Sequence, residues 1–154
     1  MSVPATLHFE DLALGQTFRS RPLTLTAEAI KRFAAEFDPQ PFHLDEAAAA
    51  ASFFAGLCAS GWHTAALTMR LLTECVPFAG GMIGAGMDEL RWPSPARPGD
   101  VLTCAAEITE LRPSRSRPEI GLVKLLTTTT SQAGAPVLIL RSNNIVPRRT
   151  GAAR

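Results

Sequence analysis

The hydrophobic period of the chain changes once, near residue 84, and that change limits the possible folds more than any other feature of its 154 residues. Downstream of it the apolar positions recur in twos: Leu102, Cys104, Ala106 and Ile108 alternate with Thr103, Ala105, Glu107 and Thr109. Val123, Leu125, Thr127 and Thr129 continue the pattern, followed by Leu138, Leu140, Ser142 and Asn144. A period of two lays one face of a strand on a core. The segments between, Arg97 to Asp100, Arg112 to Pro118 and Gln132 to Pro136, carry the Gly and Pro of tight connections, so an antiparallel sheet with hairpin turns is predicted.

Upstream the period is helical. Residues 16–25 are expected to form a first strand, after which Thr26 caps a helix with Ile30, Phe33, Ala34 and Phe37 at i, i+3, i+4, i+7 spacing. Pro39 and Pro41 disfavour helical geometry at Asp38 and Gln40, so Asp38 to Phe42 is expected to be an extended, stiff loop. Asp45 and Glu46 suit the start of a short Ala-rich helix. Ser60 and Gly61 open a longer one running to about Cys75, in which Trp62, Ala65, Ala66, Met69, Leu72 and Val76 recur at helical spacing while Leu67 and Leu71 widen the apolar surface. This is expected to be a buried central helix.

One strand, two or three helices and about four further strands make an α+β arrangement in which a long sheet wraps a helix. Residues 1–147 are expected to form one domain, with 148–154 a frayed tail. Such a sheet has open edges and an incompletely covered face, and pairing with a second copy would cover them, so a homodimer is expected.

Composition narrows the partners. With 15 Lys and Arg against 14 Asp and Glu, the net charge of +1 lacks the basic excess that phosphate neutralisation needs, which argues against nucleic acid. Cys58, Cys75 and Cys104 are odd in number and widely spaced, forming neither a disulfide framework nor a C-x-x-C site, and are expected as buried thiols. The first ten residues show no secretory pattern, and the weakly polar run Ala47 to Ala59 is too short to span a bilayer. The expectation is a cytoplasmic protein that acts on a small molecule, away from membranes.

The segment Phe37-Asp38-Pro39-Gln40-Pro41-Phe42-His43-Leu44-Asp45 carries the chemistry. A carboxylate and an imidazole five residues apart on a stiffened segment can hold a water and move its proton. Turn closure by Asp38 and helix capping by His43 are the structural alternatives.

This segment resembles the hydratase motif Asp-x-Asn-Pro-hydrophobic-His of the MaoC-like dehydratases and (R)-specific enoyl-CoA hydratases, here Asp38-Pro39-Gln40-Pro41-Phe42-His43. The resemblance extends to Phe9 to Gln16, to Ala59-Ser60-Gly61-Trp62-His63 and to Leu90 to Asp100, so it covers nearly the whole chain. It implies the hot-dog fold, a curved antiparallel sheet around a long helix. It also implies the hydration of a trans-2-enoyl-CoA to the (3R)-3-hydroxyacyl-CoA, or the reverse, with the CoA thioester as substrate and no cofactor or metal. In that reading Asp38 and His43 are the catalytic pair, the Gly61 N–H meets the charge developing on the thioester carbonyl, and Gln40, Ser60 and Trp62 face the substrate. Gln40 departs from the motif's Asn; it keeps the amide and adds a methylene.

Other features carry less. Arg112, Arg115 and Arg117 are candidates for the CoA phosphates, with a solvated hairpin tip as the alternative. His43, Asp45 and His63 lack the spacing of a metal site, and Gly80-Gly81 and Gly84-x-Gly86 lack the context of a phosphate loop and are expected as a flexible connection. Ser52, Ser60 and Thr64 lie in no nucleophile elbow. Phe53 and Phe54 are expected in the core or a dimer contact, or else as a wall that sets acyl length. Two other functions remain open. A hot-dog thioesterase would present its acid from the central helix, where only Glu74 stands, and a non-catalytic subunit would bind acyl thioester without turnover.

Overall fold

A computed structural model describes residues 6–149. After a 3-10 turn at Phe9–Asp11 come β1 (Thr17–Arg19), β2 (Leu23–Thr24), α1 (Ala27–Phe37), α2 (Pro41–Leu44), α3 (Glu46–Ala50) and α4 (Gly61–Cys75). Four long strands follow: β3 (Ile83–Arg91), β4 (Val101–Pro113), β5 (Ile120–Thr130) and β6 (Pro136–Pro147). They make one six-stranded antiparallel sheet of order β1-β4-β5-β6-β3, with β2 also pairing β4. The element order and the α4 helix lying against β4 and β6 are those of the hot-dog fold expected from the sequence.

The period-two positions are all buried: Leu102, Cys104, Ala106 and Ile108 on β4, Val123, Leu125, Thr127 and Thr129 on β5, and Leu138, Leu140, Ser142 and Asn144 on β6. Of these, Cys104, Ala106, Ile108, Val123 and Leu125 pack against Leu71, Leu72 and Val76 from the end of α4 in one apolar cluster. A second cluster, Leu25, Ile30, Ala49, Leu57, Ala59, Ala96, Leu102 and Val137, ties α1, α3 and the chain leading into α4 to the sheet. That second cluster is what positions the site. Burial pushes the Cys104 thiol up to about 12, and Cys58 is buried as well, while Cys75 is half-buried.

Several expectations are corrected. The strand over 16–25 is broken: Ser20 bonds β4 through its backbone N–H and its hydroxyl oxygen, Pro22 has no N–H to offer, and pairing resumes only at Leu23. The Asp38 to Phe42 loop is extended only to Gln40. Pro41 starts the one-turn helix α2, because a missing N–H costs nothing at a first helical position. On α4 the buried stripe is His63, Thr64, Thr68, Leu71 and Leu72, whereas Trp62, Ala66 and Met69 face out. Phe37 is exposed as well.

Gly84 and Gly86 are not a loose connection but part of β3, where the register with β6 shifts and Gly86 takes φ +142°; Gly80 and Gly81, at φ +75° and +88°, form the turn before it. Nor do Arg148 and Arg149 fray: they pair with Glu10 at 2.9 Å and Asp11 at 2.6 Å. The rest of the expected tail, 150–154, lies outside the described residues.

Beneath α4 the Thr68 and Thr129 hydroxyls form a buried hydrogen bond of 2.7 Å. Replacing one partner strands the other, which costs about 1–3 kcal/mol, whereas replacing both with an isosteric apolar residue is nearly neutral. Thr68→Val is therefore expected to lower stability in urea unfolding, with Thr68→Val/Thr129→Val recovering most of the loss. A double variant as unstable as the sum of its singles would contradict this pairing.

Candidate active site

Asp38 is the C-cap of α1, and its backbone N–H bonds Ala34 O at 2.9 Å. Its side chain turns into a cradle of three polar groups. Gln40 Nε2 donates to Oδ1 at 2.8 Å, the Ser60 hydroxyl bonds the carboxylate, and His43 Nε2 lies 3.5 Å from Oδ2. Burial alone would raise the Asp38 pKa, but the Ser60 and Gln40 bonds and the His43 charge outweigh it and hold the carboxyl below its ordinary range. The extra methylene of Gln40 does not prevent its amide from reaching the acid two residues back.

His43 is buried on α2. Its Nδ1 lies 2.7 Å from the carbonyl of Cys58, and a carbonyl only accepts, so Nδ1 carries the proton and Nε2 is turned towards Asp38. The Phe42 and Phe54 rings flank the imidazole at centroid distances of 4.6 and 6.3 Å.

Ser60 does two things at once. It is the N-cap of α4, its Oγ accepting from Trp62 N at 3.2 Å, and it bonds Asp38. The positive end of the helix is thereby fixed beside the carboxylate. Gly61 follows, and its glycine is required by Trp92: the indole donates to Gly61 O at 2.8 Å, and a Cβ at Gly61 would come within 2.7 Å of the ring. The space against this glycine is held by Trp92. Trp62 meets Trp92 edge-on at 5.4 Å.

These groups line a cavity of about 760 Å³, with Phe42, Phe53, Phe54 and the segment 92–97 completing its wall. Asp38, Gln40, His43, Gly61 and Trp62 are brought together there, and buried Ser60 reaches it through Asp38. Phe53 and Phe54 belong to the wall rather than the core. Trp92 and Arg97 escaped the sequence reading because the segment 92–97 reads as a turn approach, and only its sequence-distant partners Gly61 and Phe54 reveal its place.

One expectation is not met at this cavity, while His63 and Asp45 stand apart from it as structural residues. Arg112, Arg115 and Arg117 sit at the β4–β5 tip, the far end of a strand spanning roughly 40 Å from the cavity side, and Arg117 pairs with Glu119 at 2.9 Å. His63 stacks on Phe33 with centroids 4.7 Å apart, and burial and then Arg32 push its pKa down. The Asp45 carboxylate caps α3 by accepting from Ala48 N at 2.8 Å.

The model of the MaoC like domain matches residues 10–130. The chain belongs to the MaoC-like dehydratase family. A MaoC-like dehydratase from Rhodospirillum rubrum superposes with a TM-score of 0.91 at 51% identity, over 94% of this chain and 99% of that one. The unliganded (R)-hydratase PhaJ1 from Pseudomonas aeruginosa superposes with a TM-score of 0.77 at 27% identity, over 94% and 88%. The 3-hydroxybutyryl-CoA dehydratase of Methylorubrum extorquens is 30% identical over 115 residues, 75% of this chain and 72% of that protein. Among the described residues no helix is long and apolar enough to cross a membrane.

Because Gln40 stabilises the charged form of Asp38, Gln40→Leu is expected to raise the Asp38 pKa in a carboxyl-carbon NMR titration. The sign also governs stability. A folded-state pKa below the unfolded value near 3.9 makes Asp38 stabilising at neutral pH, a contribution lost as pH falls through the folded value. An unmoved titration in the variant would remove Gln40 from the cradle's electrostatics.

Proposed function

We propose that the chain is a hydro-lyase that adds water to a trans-2-enoyl-CoA, giving the (3R)-3-hydroxyacyl-CoA, or runs the reverse dehydration. One observation carries the reading: an ionised Asp38 and the Nε2 of an oriented His43 lie 3.5 Å apart at the wall of an aromatic cavity, beside the start of α4. A water bonded to both groups attacks C3 as Asp38 takes its proton, with His43 sharing the relay. The proton then goes to C2 on the same face, so the pair ends the cycle as it began. The Gly61 N–H, at the positive end of α4, meets the charge that the thioester oxygen gains meanwhile. The reaction so written calls on no cofactor. Family membership and the 3-hydroxybutyryl-CoA dehydratase likeness support it.

Thioester hydrolysis is less well supported, because Glu74 is exposed near the far end of α4 and bound by Arg21 at 2.7 Å. Loss of enoyl-thioester absorbance with crotonyl-CoA is the test. Asp38→Asn and His43→Ala are each expected to reduce the rate by orders of magnitude without unfolding the chain. Near-normal turnover in either folded variant would remove that residue from the mechanism. Release of free CoA thiol would indicate a thioesterase, and binding without turnover a non-catalytic subunit.

The working unit we propose is a homodimer in the cytoplasm. β3 is an edge strand with exposed Ile83 and Met87, and α4 shows Trp62 and Met69 to solvent. A second copy would cover both strips. Met87→Arg is expected to shift the sedimentation coefficient from dimer to monomer; a native sequence sedimenting as a monomer would contradict the assembly.

A further inference from the structure

We propose that Arg97 is a positioning residue for His43, acting through the backbone of residues 54–58. Arg97 follows buried Ala96 in the turn before β4, and its own N–H is taken by Asp100 Oδ2 at 2.8 Å. Its guanidinium is held by no carboxylate among the described residues. Three backbone carbonyls receive it instead: Nη1 donates to Gly56 O at 2.8 Å and Leu57 O at 3.4 Å, and Nη2 donates to Phe54 O. Charge-assisted bonds of this kind are stronger than neutral ones.

The segment so gripped needs holding. Ala55 sits at φ +52°, a left-handed backbone that a residue with a Cβ adopts only when its surroundings impose it. On the other side of Cys58, Ala59 N donates to Ala96 O at 2.9 Å. The Cys58 peptide is therefore suspended between two consecutive residues, the Arg97 side chain before it and the Ala96 carbonyl after it. The free lone pair of that peptide is where His43 Nδ1–H is bound, at 2.7 Å. Phe54, whose carbonyl Arg97 holds, packs its ring on Phe42 at 5.0 Å. Arg97 thus fixes both the acceptor that selects the His43 tautomer and a ring that walls its pocket.

Removing the guanidinium leaves three carbonyls without their donor and releases the Cys58 carbonyl from its place. Arg97→Met keeps the stem and deletes the donors; Arg97→Lys keeps a charge that cannot fork across three acceptors. The primary measurement is the nitrogen NMR of the His43 ring in the folded, substrate-free chain at about pH 8, above the ordinary histidine range. The native chain is expected to show one tautomer, protonated at Nδ1. Arg97→Met is expected to show a mixture with Nε2–H, and Arg97→Lys an intermediate. If Arg97→Met does not fold, Arg97→Lys decides by the same signal. A pure Nδ1–H tautomer in both folded variants would overturn the proposal.

The kinetic arm rests on the hydratase reading. There kcat is expected to fall about 10- to 100-fold in Arg97→Met, with KM changed less than about threefold. A raised KM at constant kcat would instead make Arg97 a substrate-binding group and overturn its positioning role. Should the native chain hydrate nothing, the hydratase reading fails while the NMR signal still decides on Arg97.

Discussion

The hydrogen bond from His43 Nδ1–H to the carbonyl of Cys58 joins the two segments from which the site is made. On one side lies the turn from α1 through Pro41 into α2, and on the other the chain that runs into α4. With the proton committed to Nδ1, the ring has one orientation and one free nitrogen, and that nitrogen is turned towards Asp38. Take this bond away and the acid remains, but its partner has no defined tautomer. Folding therefore supplies the orientation of the ring through a backbone carbonyl, whose segment is anchored by Leu57 and Ala59 in the second apolar cluster and gripped by the Arg97 side chain.

Asp38 shows how a partly buried carboxylate stays ionised. Its desolvation is opposed by hydrogen bonds from Ser60 and Gln40 and by the His43 charge, and their sum favours the anion. Such an acid is a weak base, suited to orienting a water whose proton leaves only as the new bond forms. Ser60 links this electrostatic arrangement to the fold, since the hydroxyl that steadies Asp38 also caps α4. The Trp92 indole, pressed on Gly61, closes the same corner from the sheet side.

Much of this was legible in the sequence because it is local. The strand phases on β4, β5 and β6 follow from a period of two, and the Thr26, Asp45 and Ser60 caps follow from side chains that bond N–H groups two or three residues on. Asp38 and His43 are near in sequence, so a stiff turn between them announces a pair. What was not legible depends on partners far away in the chain. Arg97 and Phe54 are 43 positions apart, and Trp92 and Gly61 are 31 apart. Nothing in either local pattern marks such a contact. The buried face of α4 departs from its apolar spacing for a related reason: Thr64 and Thr68 are buried in place of apolar residues because the Thr64 hydroxyl donates to Ser60 O one turn back and the Thr68 hydroxyl pairs with Thr129 on the sheet.

The central claim is that Asp38 and His43 deliver the elements of water to one face of an enoyl thioester. It is tested most directly by hydrating crotonyl-CoA in heavy water and determining the configuration at C2 and C3 of the product. The account predicts a single (3R)-hydroxyacyl-CoA carrying one deuterium at C2 on the face that received the hydroxyl. Deuterium on the opposite face, or a mixture at C3, would contradict it.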